Sequence, residues 1–345
     1  MKKTLLAIAI PAALFANAVN AVELYNQDGN SFSVGGHVAA GITGSDEGKT
    51  EVNSVSPRIN FEAKRDLGDG FVAHAKAEWS INFLDGGANA LSTRLGYVGV
   101  SHDTYGTADV GTQWAPYYDV AGVADMPIAF ANDFLYADHG NLGTARADKM
   151  VSYRNSFEFG EDSSLSFGLG GQGSHAGDAS SPQTTQYGAR YQAGATLAMF
   201  GATLGYAYNT GSVDVPTGDK DATTQALSAS YGSYGSGLYL AAVFAQNKNV
   251  LDTSYESDNV YAKTNNYEAL VAYAFDNSLN ISLNYEMAKD EAGSDGKLAS
   301  QSAIQAEYNF APQVIGYVGY QVDLGSDLAA HKDNNVWMFG GRILL

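Results

Sequence analysis

The strongest constraint in this chain is an alternation of apolar and polar residues with period two, repeated along most of its length. Across residues 279–287, Leu279, Ile281, Leu283, Tyr285 and Met287 fall on one side of an extended strand, with Asn280, Ser282, Asn284 and Glu286 on the other. Residues 302–310 set Ile304, Ala306, Tyr308 and Phe310 against Ala303, Gln305, Glu307 and Asn309. The same division separates Val318, Tyr320, Val322 and Leu324 from Tyr317, Gln321 and Asp323. Earlier in the chain, Ile59, Phe61 and Ala63 alternate with Arg58, Asn60, Glu62 and Lys64, and Ala73 to Phe83 alternates with His74, Lys76, Glu78, Ser80 and Asn82. Successive side chains of a strand point to opposite faces, so the pattern encodes strands with one apolar and one polar face. The apolar runs often begin or end in Tyr, Phe or Trp, where a membrane barrel carries its aromatic girdles.

The breaks between these runs come in two sizes. Residues 66–70, Tyr105-Gly106 and Asp276-Asn277 are short and suited to hairpin turns. Residues 44–55, 173–186, 211–224 and 248–266 are long and polar. Short turns at one end and long loops at the other fit a barrel crossing an outer membrane, where closure alone satisfies every backbone group in hydrocarbon. About sixteen strand-like segments can be marked, within the even-numbered range of such barrels. The expected fold is therefore all-β: one transmembrane antiparallel β-barrel.

The N-terminus carries an export signal. Lys2 and Lys3 precede an apolar stretch from Leu5 to Phe15, and Val19-Asn20-Ala21 ends in a small residue. The stretch is too short to span a membrane as a helix, which needs about 20 residues, so it reads as a signal peptide over residues 1–21. Residues 22–345 then form a single barrel domain. The 345-residue chain has no Cys and a net charge of −18. Thiol ligands and disulfides are thus excluded, and the acidity argues against a nucleic-acid partner, because phosphate binding needs clustered cations. A soluble sandwich would also alternate, but a chain this long would more often divide into two domains. Small Ala and Gly residues interleaved on the apolar faces favour the barrel as well.

Specific stretches carry a resemblance. Val22-Glu23-Leu24-Tyr25-Asn26-Gln27-Asp28-Gly29-Asn30 looks like the opening of the mature general diffusion porins of Gram-negative outer membranes. Ser92-Thr93-Arg94-Leu95-Gly96-Tyr97-Val98-Gly99-Val100, then Tyr105-Gly106 and Val110-Gly111-Thr112-Gln113, resembles their fourth and fifth strands. Arg146 followed by Val151-Ser152-Tyr153-Arg154-Asn155 is similar to the strand after their constriction loop. The resemblance implies a sixteen-stranded barrel, with a third loop folded into the lumen over about residues 114–147. It also implies assembly as a homotrimer surrounded by outer-membrane lipid and lipopolysaccharide, and insertion by the barrel assembly machinery. Such a channel passes small hydrophilic solutes and ions down their own gradients, with no cofactor, metal or catalytic residue.

Carried over position by position, the resemblance makes Arg58, Arg94 and Arg146 the wall arginines of the constriction. Asp125 becomes an acidic residue at the loop tip, and Glu78 an inward glutamate that can anchor the loop or the arginines. His37 stands where relatives commonly hold a lysine, Ser92 replaces another, and Ala129 occupies the place of a second loop acid. Asp133 is the next candidate for loop charge. These departures weaken the field across the eyelet on both sides, and a mild cation preference is expected. Arg342 reads as lumen-facing without a special role, and Leu345 replaces the aromatic residue with which relatives usually end. A substrate-specific channel and a barrel adhesin acting through its long loops remain the alternatives. No Ser/His/Asp or paired-carboxylate motif supports an enzyme. The glycine run 168–173 lacks the following helix that a phosphate loop requires.

Overall fold

The computed structural model describes residues 21–84, 91–136, 138–160, 162–177, 186–215, 218–252, 259–293, 296–328, 331 and 333–345. The signal-peptide reading of residues 1–21 lies outside them except for Ala21. Strands β1 (Asn30–Ser45), β2 (Arg58–Gly68), β3 (Phe71–Ile81), β4 (Leu91–His102) and β5 (Gly106–Trp114) precede one long loop. Beyond it lie β6 (Arg146–Glu158), β7 (Ser163–Gln172), β8 (Gln186–Met199), β9 (Ala202–Val215), β10 (Gly218–Ser233) and β11 (Ser236–Lys248). The circuit ends with β12 (Thr264–Ala274), β13 (Leu279–Asp290), β14 (Lys297–Ala311), β15 (Val314–Asp323) and β16 (Val336–Leu344).

Each strand pairs antiparallel with the next, and β16 returns to β1 from Ser45↔Val336 to His37↔Leu344, closing a barrel of 16 strands. The short strand Val22–Gln27 pairs with the lower half of β1 and so continues the line of β16. Thr50–Asn53 continues β2 in the same way on the other side of β1. Closure leaves no edge on the main sheet, as a strand structure in lipid requires.

Alternation resolves into outside and inside. On β13, Ile281 and Leu283 are exposed at 39% and 53%, whereas Ser282 and Glu286 are buried at 2% and 1%. A soluble fold would bury the first pair. Here the outer surface meets hydrocarbon, and the polar face meets the lumen and the loop within it. Phe71, Tyr105, Phe157, Phe200, Tyr231, Phe275 and Phe310 are exposed near the short turns and form one aromatic girdle. Asp28-Gly29, Asp69-Gly70 and Phe200-Gly201 hold positive φ at both positions, the type I′ geometry that matches strand twist in a tight hairpin.

One expected loop is mostly strand. Residues 211–224 read as a long polar break, yet β9 and β10 stay paired as far as Val215↔Gly218. Their inward Val213, Val215 and Ala222 pack against Leu142 and Tyr187 instead of facing lipid, so the apolar-out signature reverses there. Within residues 248–266, Val250–Asp252 and Asn259–Tyr261 pair as a two-stranded ribbon.

Candidate functional site

The segment between β5 and β6, residues 115–145, folds inward rather than over the rim. Helix α1 (Pro116–Ala121) begins with Pro at its first turn, where the absent N–H costs nothing. It lies against β7, β8 and β9 at positions kept small: a Cβ on Gly194 would stand 2.5 Å from the Pro116 carbonyl oxygen, and one on Gly205 2.9 Å from Val120. Tyr117, Val120 and Ala121 are buried in this seat. A 3-10 turn (Gly122–Ala124) leads into an extended stretch, and helix α2 (His139–Leu142) returns the chain to the wall.

The loop's backbone polar groups are satisfied by inward amides and carboxylates of the wall. Gln192 accepts from Tyr117 N at 2.7 Å and donates to the Gly143 carbonyl at 3.0 Å. Asn209 donates to the Leu142 carbonyl at 2.7 Å, and Tyr239 to the Val123 carbonyl at 2.7 Å. At the far end, Glu307 accepts from Ile128 N at 2.8 Å, and Gln305 accepts from Ala129 N and Phe130 N, both at 3.1 Å. Glu286 accepts from Asp133 N at 2.9 Å and Phe134 N at 3.0 Å. Leaving such groups unpaired would cost about 1–3 kcal/mol each, so the amide band fixes the loop in one place.

Opposite the loop tip stands a basic arc. Arg94 on β4 donates to Glu78 at 2.8 Å, and Arg58 on β2 lies 3.7 Å from the same carboxylate. Arg58 also donates to the Ser56 carbonyl and hydroxyl at 3.1 and 2.9 Å, and Arg94 to that hydroxyl at 3.3 Å. Glu78 therefore holds the arginines, whereas Glu62 pairs with Lys64 at 2.6 Å. Arg146, first residue of β6, lines the same space without an ion pair among the described residues. His37 lies opposite Arg58 across the β1–β2 pairing and is buried. Ser92 bonds Ser80 at 2.5 Å and sits outside the arc's cation set.

On the loop side, Asp125 accepts from Tyr118 Oη at 2.6 Å, and Asp133 is exposed to the lumen. Burial pushes the Asp125 carboxyl up to about 7 against the Tyr118 bond, with Asp133 adding repulsion and Arg58 and Arg146 opposing it. The open space between arc and loop has a volume of about 1180 Å³.

Three features were not legible as functional from sequence. Arg342 on β16 joins the arc and donates to the Val55 carbonyl at 3.4 Å. The amide band had shown only as the polar face of the alternation, since its partner is a backbone and leaves no motif. His74 and Asp109 form a 2.6 Å pair in the wall, in space that Gly99 keeps open. Among the described residues, one group has metal-like spacing: His331 lies 3.2 Å from Asp323 and 3.4 Å from Asp333, and exposed acidic clusters of this kind are common without an ion.

The model of the Gram-negative porin family matches residues 4–328. Outer membrane porin N of Escherichia coli K12 is 28% identical over 355 residues, covering 94% of this chain and 93% of that protein. Among solved structures, the OmpF of Salmonella typhi in complex with daunomycin has a TM-score of 0.78 at 22% identity, covering 94% of this chain and 100% of that one. The trimer form of OmpT, an outer membrane protein of Vibrio cholerae, has a TM-score of 0.63 at 16% identity, covering 92% and 100%. With a family match over nearly its whole length, and a closed barrel whose inserted loop faces a basic arc, the chain belongs to the Gram-negative porins of the outer membrane.

Proposed function

We propose that this porin is a non-specific channel in which residues 115–145 and the arc of Arg58, Arg94, Arg146, His37 and Glu78 form the constriction. The observation that carries the reading is the loop seated inside a closed barrel, narrowing a lumen lined by charge on both sides. Solutes cross by diffusion, sorted by size at the eyelet and by charge along it. The lining carries Arg58, Arg94, Arg146, Arg342 and Lys76 against Glu62, Glu78, Asp119, Asp125, Asp133, Asp138 and Asp148. Seven acids against five bases support a mild cation preference. No catalytic role is assigned. Residues 1–21 act as the cleaved signal and 22–345 as the working barrel. A homotrimer is supported by the shallow apolar recess outside β1–β5, lined by Phe32, Phe61, Ala63, Ala75, Ala77 and Val98, a surface that a second copy can cover.

A substrate-specific channel has one observation in its favour. Trp114 stacks on Tyr118 at 4.3 Å, Tyr118 lies 5.1 Å from Tyr136, and all three line the lumen. Tyr118 and Tyr136 are each only 8% exposed, which leaves little ring face for a solute. Liposome swelling separates the two readings. Non-specific diffusion gives rates that fall smoothly with solute mass; one sugar entering far faster than its size allows would establish the specific channel instead.

A further inference from the structure

One part of the eyelet wall holds more buried donors than acceptors. Arg342 is 8% exposed, yet no carboxylate lies within ion-pair distance of its guanidinium among the described residues. Its single hydrogen bond there is the long one to the Val55 carbonyl, and its buried Nε has no partner. A guanidinium taken out of water without a counter-charge is costly, and buried arginines are ordinarily paired. The nearby acids are already engaged. Glu78 is held by Arg94 and Arg58, and Glu307 accepts from Ile128 N and from Tyr234 at 3.0 Å.

The surroundings add a second guanidinium, that of Arg58. Arg342 stands across from Ala39 on β1, diagonal to His37, which stands opposite Arg58. Directly opposed residues have Cβ atoms about 5 Å apart, and diagonal ones about 7–8 Å, so the three side chains share one patch of wall. His37 is 4% exposed, and among the described residues its Nε2 and the buried hydroxyl of Tyr317, on β15, have no partner. Arg342, His37 and Arg58 all border the lumen.

We propose that Arg342, with Arg58 beside it, forms an oxyanion-binding recess in the eyelet wall, where solutes bearing a phosphate or carboxylate group pause as they pass. The fork of N–H groups on Arg342 supplies planar, two-point recognition that a chloride ion cannot exploit. The recess is local: it acts inside a lumen whose overall lining favours cations, and it rests on the channel reading above.

Single-channel recording of the full mature protein in planar bilayers tests it, with inorganic phosphate added to KCl and chloride controls at matched ionic strength. Wild type is expected to show brief phosphate-dependent interruptions of current that saturate with concentration. Arg342→Gln weakens the half-blocking concentration by about tenfold or more, which corresponds to the loss of roughly one charge-assisted contact. Arg342→Lys, which keeps the charge and loses the fork, falls between them. Each variant is first checked for heat-resistant folded barrel on a gel. If one fails to fold, the wild-type comparison of phosphate with chloride and the other variant still decide. Phosphate acting no differently from chloride on wild type, or equally on wild type and a folded Arg342→Gln, overturns the recess. Silence in KCl alone overturns the channel reading, a separate failure.

Discussion

At the scale of single residues, Glu78 and Asp125 act in opposite ways on the charge of the proposed eyelet. Glu78 is 5% exposed and neutralises part of the charge of Arg94 and Arg58. Glu78→Gln frees both guanidiniums and leaves them close together. The expected result is a reversal potential shifted toward anions under a KCl gradient, and a folded barrel weakened by about 1–3 kcal/mol; unchanged selectivity would show that the arginines do not face permeating ions. Asp125 responds to pH because burial raises its carboxyl to about 7, with Tyr118, Asp133, Glu268, Arg58 and Arg146 as its charged or titratable neighbours. Above that pH it carries a negative charge at the loop tip, and below it none. Cation preference should therefore fall between pH 8 and pH 6 in wild type and stay constant over that step in Asp125→Asn. The linkage runs the same way: a raised folded-state value contributes stability at acid pH that is lost as pH climbs from 3.8 to about 7.

At the scale of elements, the inserted loop depends on what the wall offers it. Gly194→Leu places a side chain where the Pro116 carbonyl already stands and offers no flexible neighbour to yield. Overpacking of this kind costs about 1–3 kcal/mol, and a lower melting temperature of the folded barrel is the measurement that shows it. Glu286→Ala removes the acceptor for two loop N–H groups and loosens the tip. Single-channel current should become noisier and larger, and protease added to the extracellular side should cut the loop sooner; a quiet channel of wild-type size would mean that the tip is held elsewhere. These dependencies also explain what could be read beforehand. The strands were legible because period two survives wherever lipid lies outside and water inside. It failed at residues 211–224, where Leu142 and Tyr187 of the barrel interior draw valines inward. Arg58, Arg94 and Arg146 were legible only through resemblance. Arg342 was visible as a lumen-facing residue, but its membership of the arc depends on β16 closing against β1, a contact between the two ends of the chain.

At the scale of the whole molecule, the architecture follows from one demand, that every backbone group in hydrocarbon be paired. Closure meets it and creates a lumen too wide to be filled by wall side chains alone. The chain fills part of that space with its own loop, and the polar faces of β8 through β14 serve as sockets for the loop's backbone. The result inverts the usual distribution: apolar side chains such as Leu283 outside, and Asn209, Asn266 and Glu286 buried. On the proposed reading, selectivity belongs to the small region where loop and arc face one another, and not to the acidity of the chain as a whole, since exposed loop charges are screened within about 8 Å at physiological salt.

The central claim, a water-filled channel narrowed by its own loop, is tested most directly by planar-bilayer conductance of the wild type beside a variant in which residues 122–136 are replaced by a short Gly/Ser link. Wild type is expected to open in ohmic steps grouped in threes, and the shortened variant to give larger steps with weaker discrimination between K⁺ and Cl⁻. No conductance from folded wild type, or identical conductance and selectivity from both proteins, would contradict it.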